Sequence, residues 1–185
     1  MQLNLKNSIA FFDLEATGTN VSTDRIVEIS IVKLNPDGGQ QIYTRRVNPG
    51  VPIPLEASLI HGLYDKDLKN EPYFKDLAQE IFQFLGMSDL AGFNVLKYDI
   101  PLLVEEFLRS GIDFDLDKRN LLDAQKIFHL MEKRNLSAAY KFYCGKKLEN
   151  AHSAEADTLA TVDVFRAQIE RYLGESVEDL QGNTL

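Results

Sequence analysis

The sequence predicts an α/β domain in which a mixed β-sheet is flanked by α-helices. Strand-like segments come first, and helical segments then alternate with short strand-like ones. The chain has 185 residues and a hydrophobic content of 44%, so one domain can bury its own core without disulfides. We expect one domain over residues 1–174 and a loosely ordered acidic tail over 175–185.

Three strands are predicted in the first quarter of the chain. Residues 8–13 form an apolar run that ends in an acid, which is typical of a buried strand. Residues 25–34 alternate in polarity, and a turn sequence separates them from the β-prone residues 41–47, so an antiparallel hairpin is expected. Residues 48–54 contain three prolines, which remove backbone donors and predict a loop.

Two helices with clear ends are predicted in the middle of the chain. Helical periodicity begins near Phe74, and Gly86 is placed to end that helix. A second helix tolerates Pro101 in its first turn and has Gly111 near its C-terminal cap. Asp99 therefore lies just before this helix or at its start.

The rest of the chain alternates between short strands and helices. We expect strands over residues 90–94 and 120–124 and helices over 125–133 and 136–144. The last helix follows a cap at Ser153. Its apolar positions recur at three- and four-residue steps, at Leu159, Val162, Phe165, Ile169 and Tyr172.

Composition restricts the location and the partners of the chain. Cys144 is the single cysteine, which excludes a disulfide framework within one chain and favours a reducing compartment. The sequence shows no secretion signal and no apolar run of membrane-spanning length, so we expect a soluble cytoplasmic protein. A net charge of −8 argues against a broad DNA-gripping surface, unless bound divalent cations supply local positive charge.

Five polar residues are candidates for catalysis. Asp13 and Glu15 are two residues apart, so on a strand both carboxylates project from the same face. Asp99 lies at a helix start, and His152 and Asp157 lie at the entrance to the last helix. Each also has an ordinary interpretation, namely a solvent-facing strand end, a helix cap or an exposed loop.

The four acids together predict a site for hard cations. Oxygen-rich clusters suit Mg²⁺ and Mn²⁺, and two such ions could share the site. One ion would activate water while both would clamp a phosphate, and a histidine that is neutral near pH 7 can accept the proton of that water.

Three segments resemble the motifs of the DEDDh family of 3′-to-5′ exonucleases, which includes the proofreading subunit of bacterial replicative DNA polymerase. These segments are FDLEATGT, GFNVLKYDIPLL and HSAEADT, and the resemblance extends over residues 8–172. It implies a ribonuclease H-like fold with a central mixed five-stranded sheet. The histidine branch is favoured, because Ser153 occupies the position where the sister branch has tyrosine.

The resemblance implies a role for each candidate residue. Asp13 would bridge two Mg²⁺ or Mn²⁺ ions, Glu15 and Asp157 would hold the ion on the nucleophile side, and Asp99 would bind directly or through water. His152 would be the general base.

Substrate contacts are implied at Ala16, Thr17, Gly18, His61, Leu63 and Asn94. Backbone donors in the small turn after the first strand would approach the terminal nucleotide, although the same residues suit a plain tight turn. His61 and Leu63 would stack against or wedge the terminal base, and Tyr98 replaces a phenylalanine that is common in the family.

The predicted function is metal-dependent removal of nucleoside monophosphates from single-stranded 3′ ends, with DNA favoured over RNA as substrate. Two alternatives stay open: an exoribonuclease that resembles oligoribonuclease, and a catalytically silent nucleic-acid-binding module. Neither a polymerase partner nor the oligomeric state follows from the sequence, and no membrane partner is expected.

Overall fold

The computed structural model describes residues 5–149, 151 and 153–172. The chain divides into two compact units, Met1–Phe128 and His129–Leu185. The tail expected over residues 175–185 lies outside the described residues. Within the described part of the chain, every helix is too short or too polar to cross a lipid bilayer.

The first unit contains a mixed five-stranded sheet, which confirms the predicted fold class. Its strands are β1 (Ile9–Ala16), β2 (Ile26–Leu34), β3 (Gln40–Arg46), β4 (Asp89–Gly92) and β5 (Leu121–Asp123). The spatial order is β3-β2-β1-β4-β5. Strand β2 pairs antiparallel with both β1 and β3. Strand β4 pairs in parallel with both β1 and β5. Strand β1 is therefore the central strand.

The described residues contain seven helices. They are α1 (Leu55–His61), α2 (Asp65–Leu68), α3 (Phe74–Leu85), α4 (Asp99–Arg109), α5 (Ala124–Met131), α6 (Leu136–Cys144) and α7 (Ala154–Arg171). Helices α3 to α7 lie where the sequence predicts them, within a few residues. The pattern did not predict α1 or α2.

Helix α1 has end signals but no apolar stripe. Pro54 precedes its first turn, and Gly62 ends it with a φ of 77°, a left-handed conformation that suits glycine. Leu59 and Ile60 are 70% and 84% exposed, so its apolar residues do not form one buried face. Periodicity therefore gives no signal for this helix.

The main core lies on one face of the sheet. Phe12 and Leu14 of β1 are buried opposite Ile31 and Ile29 of β2, and helices α3 and α4 pack against each other. The core includes Ile81 and Leu85 from α3 and Leu102, Leu103 and Phe107 from α4. This packing fixes β1 and the start of α4 in the same rigid unit.

A buried ion pair ties α4 to the start of β2. The Glu106 carboxylate is 1% exposed and accepts hydrogen bonds from Arg25 Nε at 2.7 Å and from the Ile26 amide at 3.3 Å. Arg109 also lies 3.5 Å from Glu106. A buried carboxylate is stable only when it is paired in this way.

The second unit is built on α6 and α7, which pack against each other. The Asn135 side chain caps α6 by accepting a hydrogen bond from the Ala138 amide at 3.0 Å. Ser153 is the N-cap residue of α7, as predicted, but its side chain makes no capping hydrogen bond.

The buried side of α7 differs from the predicted one. Ala160 and Val164 are its buried residues. Four positions of the predicted apolar stripe are exposed by 40–61%, namely Leu159, Val162, Phe165 and Ile169. The three- and four-residue steps therefore predicted the helix but not which side of it is covered.

Candidate active site

Strand β1 separates its apolar and acidic side chains onto two faces. Phe12 and Leu14 enter the core, while Asp13 is exposed and Glu15 is partly exposed on the opposite face. Asp13 is paired with Ser30 and Glu15 with Glu28 on the neighbouring strand. The alternation of side chains along a strand thus places both predicted acids on the same face, as expected.

Asp99 joins these acids from the start of α4. It is 9% exposed, and its Oδ1 accepts a hydrogen bond from the Leu14 amide at 3.2 Å. Leu14 lies between Asp13 and Glu15, so this bond holds the Asp99 carboxyl beside the acidic end of β1. Residues that are 85 positions apart in sequence thereby form one acidic group.

The electrostatics of the group show mutual repulsion. Burial raises the pKa of Asp99 to about 6, and the charges of Asp13 and Glu15 act in the same direction. The pKa of Glu15 is also raised, first by burial and second by the charge of Asp13, whereas His61 lowers it. Neighbouring acids with raised pKa values mark a candidate functional site.

The two remaining predicted catalytic residues belong to the second unit. Asp157 is half-buried in the first turn of α7, and its backbone amide donates to the Ser153 carbonyl at 2.9 Å. His152 lies outside the described residues. Across residues 5–149, 151 and 153–172, no three or more His, Cys, Asp or Glu side chains are grouped so that they could hold a metal ion.

A cavity of about 470 Å³ opens at the end of β1. It is lined by the turn after β1, by one side of α1 and by Tyr98. Four residues predicted to contact substrate line it, namely Ala16, Thr17, Gly18 and His61. Because Glu15 also lines the cavity, the space adjoins the acidic group.

Asp24 shapes the turn that lines this cavity. Its carboxylate accepts hydrogen bonds from the Thr17 hydroxyl at 2.9 Å and from the Asn20 amide at 2.7 Å. A Cβ atom on Gly18 would lie 2.6 Å from the Asp24 carboxylate, so a larger residue there would displace the Asp24 side chain from its hydrogen bonds. The Tyr98 hydroxyl donates to the Gly18 carbonyl and ties this turn to α4.

His61 presents a hydrogen-bond donor at the cavity. Its Nδ1 accepts from the Leu63 amide at 3.1 Å, so the neutral ring carries its proton on Nε2. Among the described residues this buried Nε2 has no hydrogen-bond partner. A buried donor without a partner is unfavourable, so this nitrogen is a candidate contact for a ligand.

The other two predicted substrate contacts lie apart from the cavity lining. Leu63 is 6% exposed and belongs to a small apolar cluster with Val27, Ile53, Ala57 and Leu68. Asn94 adopts a left-handed backbone with a φ of 61°, and its amide donates to Asp123 at 2.8 Å. Burial alone would raise the pKa of Asp123, but hydrogen bonds from four backbone amides outweigh this and lower it.

Eight cavity residues were not among the predicted site residues: Leu14, Thr19, Asp24, Pro54, Glu56, Ala57, Ile60 and Tyr98. Asp24 is an acid in an irregular loop, for which no periodic pattern exists. Pro54 and Glu56 carry the one usable signal, because proline just before a helix and an acid in its first turn are typical of a helix start.

The mixed five-stranded sheet has the ribonuclease H-like fold, and acidic side chains lie at the end of its central strand. The chain belongs to the exonuclease family, because a sequence model of that family matches residues 10–165. The fold is shared with exonuclease I of E. coli in complex with a dT13 oligonucleotide, at a TM-score of 0.61 and 16% identity, over 89% of this chain and 41% of that one.

Relatives of known sequence include polymerase subunits and a larger exonuclease. DNA polymerase III subunit epsilon of Buchnera aphidicola is 29% identical over 162 residues, covering 81% of this chain and 67% of the relative. The 3′-5′ exonuclease DinG of Staphylococcus haemolyticus is 27% identical over 83% of this chain, which spans 17% of DinG. The chain thus corresponds to a short segment of some relatives and to most of the length of others.

Proposed function

We propose that this chain is a metal-dependent 3′-to-5′ exonuclease that releases nucleoside monophosphates from single-stranded DNA ends. The observation that carries the proposal is the acidic group of Asp13, Glu15 and Asp99 beside a cavity whose lining includes a donor without a partner. Membership of the exonuclease family and the relatives named as polymerase subunits support this assignment.

The acidic group fits divalent cations. Burial and, after it, the charges of Asp13 and Glu15 raise the pKa of Asp99, and a bound hard cation would favour the charged form of these acids. We propose that two Mg²⁺ or Mn²⁺ ions are held by Asp13, Glu15, Asp99 and Asp157. When bound, such ions lower the pKa of water and stabilise charge on a phosphate oxygen.

The protein's own residues would orient the strand end and move one proton. His152 would accept the proton of the attacking water, since imidazole is neutral near pH 7. The His61 Nε2–H would donate to the terminal nucleotide, and the turn at residues 16–18 would approach its sugar. Leu63 would support α1 through the apolar cluster to which it belongs. Asn94, whose amide donates to Asp123, would hold the residues of its own motif near the bound DNA strand.

The direct test is hydrolysis of a 5′-labelled single-stranded DNA oligonucleotide with Mn²⁺. The proposal predicts a ladder that shortens from the 3′ end, together with mononucleotide release, and loss of both in chelator. Asp13→Asn and Asp157→Asn should abolish activity with unchanged circular dichroism. Glu155→Gln, which removes an exposed acid in the same first turn as Asp157, is the matched control and should retain activity.

The same assay separates the alternatives. A large preference for a matched RNA oligonucleotide would favour an exoribonuclease that resembles oligoribonuclease. Binding of DNA without hydrolysis by the purified wild-type chain would favour a silent nucleic-acid-binding module. Products with intact 3′ ends would contradict the proposed direction of attack.

We also propose a DNA polymerase as partner and the cytoplasm as location. Relatives named as DNA polymerase III subunits support the first, and a single cysteine suits a reducing compartment. Co-elution of the purified chain with a replicative polymerase tests the partner. Separate elution at micromolar concentrations of both would contradict it.

A further inference from the structure

The basic residues of this acidic chain are unevenly distributed. Segment 133–147, with the sequence KRNLSAAYKFYCGKK, holds five of the 20 Lys and Arg residues and no Asp or Glu. The chain as a whole carries 28 acidic residues and a net charge of −8. This short segment is therefore locally basic in a chain that is acidic as a whole, and it falls within the second unit.

The structure gathers four of these basic residues around one cavity. Lys133, Lys141, Lys146 and Lys147 line a space of about 620 Å³ beside α6. The other described lining residues are neutral, namely Asn135, Ser137, Ala138, Gly145 and Leu148. We call these four lysines the lysine cluster.

The lysine cluster is available to an external anion. All four lysines are classed as exposed, and no ion pair to any of them occurs among residues 5–149, 151 and 153–172. Arg25, Arg45, Arg46 and Arg109, by contrast, pair with acids. Four like charges around one space repel one another, and a bound polyanion would relieve this repulsion.

An aromatic surface adjoins the cluster in sequence. Phe142 follows Lys141 and is 64% exposed, and the Arg171 guanidinium lies 4.8 Å from its ring centroid. Basic side chains interleaved with aromatic rings are typical of surfaces that follow a single-stranded nucleic acid.

We propose that the lysine cluster is a binding site for the phosphate backbone of a single-stranded nucleic acid. It would bind the strand upstream of the end that is hydrolysed, and this role rests on the proposed function. Lysine suits this task because its ammonium is a point charge that contacts phosphates without selecting a base sequence. The cluster would give an acidic chain local affinity for a polyanion.

Binding measured without hydrolysis tests the proposal. Fluorescence anisotropy of a labelled oligo(dT) of about 20 nucleotides, in chelator, gives affinity at several salt concentrations. The test variant changes the whole cluster: Lys133→Gln, Lys141→Gln, Lys146→Gln and Lys147→Gln. The control variant removes the same charge from exposed lysines of the first unit: Lys66→Gln, Lys69→Gln, Lys75→Gln and Lys118→Gln.

The cluster variant should lose salt dependence as well as affinity. Four lost phosphate contacts, at about 0.7 each for a single strand, reduce the log–log salt slope by about 2.8, which is about a 600-fold weaker affinity at roughly 0.1 M salt. The control variant should change the slope by less than about 0.5. Equal losses in the two variants would overturn the proposal, because only net charge would then matter.

Two further arms separate this site from the active site and from other polyanions. Hydrolysis of the dinucleotide dTdT, which has no upstream phosphate, should be equal in wild type and cluster variant. If wild type hydrolyses nothing, the proposed function fails, while anisotropy still tests the cluster. Equal competition by polyglutamate of matched charge would overturn the nucleic-acid assignment in favour of an acidic protein partner.

Folding of the cluster variant is checked by circular dichroism. If it unfolds, the four single substitutions replace it, and each should lower the slope by about 0.7. Unchanged slopes in all four single variants would overturn the proposal.

Discussion

Asp99 is a buried acid that lies beside two other acids. Its carboxyl accepts one backbone hydrogen bond from Leu14, yet burial and the charges of Asp13 and Glu15 raise its pKa to about 6. The fold therefore maintains an unfavourable charge where the proposed metal ions would bind. This arrangement links the stability of the metal-free protein to pH.

Replacement of Asp99 by asparagine should stabilise the metal-free protein at neutral pH. A raised pKa means that ionisation destabilises the fold, so the penalty is absent below about pH 4, grows up to about pH 6 and stays constant above it. Asp99→Asn should gain on the order of 2 kcal/mol above pH 6. Urea unfolding in chelator from pH 4 to 8 measures this difference, and Asp113→Asn, at an exposed acid, is the control.

The stability gained in Asp99→Asn should therefore depend on pH. A gain that is the same at pH 4 and pH 8 would contradict the electrostatic explanation. Added Mg²⁺ should stabilise wild type and leave Asp99→Asn nearly unaffected.

The Tyr98 hydroxyl provides a second prediction at the residue scale. It donates to the Gly18 carbonyl, and Gly18 lines the cavity. Tyr98→Phe removes about 1 kcal/mol of hydrogen bonding, so we expect KM for the oligonucleotide to rise about fivefold with kcat nearly unchanged. Tyr43→Phe on β3, outside the cavity lining, should leave both constants unchanged. A fall in kcat alone would contradict a positioning role.

The sequence predicted the acidic residues better than their surroundings. Asp13 and Glu15 could be placed on one face because strand alternation is a local rule. Their contact with Asp99 could not be derived from local rules, since the hydrogen bond from Leu14 spans 85 positions. Asp24 and the partnerless donor of His61 were missed, because loop geometry and hydrogen-bond satisfaction depend on the whole fold.

At the scale of elements, α4 links the acidic group to the sheet. Asp99 starts this helix, and Glu106 near its end holds Arg25 at 2.7 Å and the Ile26 amide at 3.3 Å. These bonds fix the direction in which the Asp99 end of α4 meets β1. The ion pair should therefore contribute to positioning as well as to stability.

Loss of one partner of this ion pair should cost more than loss of both. Glu106→Ala leaves the partly exposed Arg25 guanidinium without its acid, at an expected cost of about 1–3 kcal/mol. Adding Arg25→Ala should recover part of that loss, because no uncompensated charge remains. Urea unfolding of the two single variants and the double variant forms the cycle. Additive losses would show that the pair has no coupling energy.

Elements with a continuous apolar stripe were predictable, whereas α1 and the covered side of α7 were not. In α3, Leu77, Ile81 and Leu85 recur on one buried face, so the pattern matches the packing. In α1, Leu59 and Ile60 are exposed. In α7, the small residue Ala160 is buried while Phe165 is 60% exposed, which no hydrophobicity pattern anticipates.

At the scale of the whole molecule, the chain combines an acidic active-site group with one basic cavity. The first unit holds Asp13, Glu15 and Asp99, and the second holds Asp157 and the lysine cluster. The net charge of −8 argues against a broad basic surface but could not indicate that four lysines line one space.

The central claim is that acids from both units hold two divalent ions together. Calorimetric titration of Mn²⁺ into the whole chain, with a nucleoside monophosphate present, measures the number of ions directly. Wild type and Glu155→Gln should bind two ions, whereas Asp13→Asn and Asp157→Asn should each lose at least one. Two ions bound with unchanged affinity in Asp157→Asn would contradict the claim.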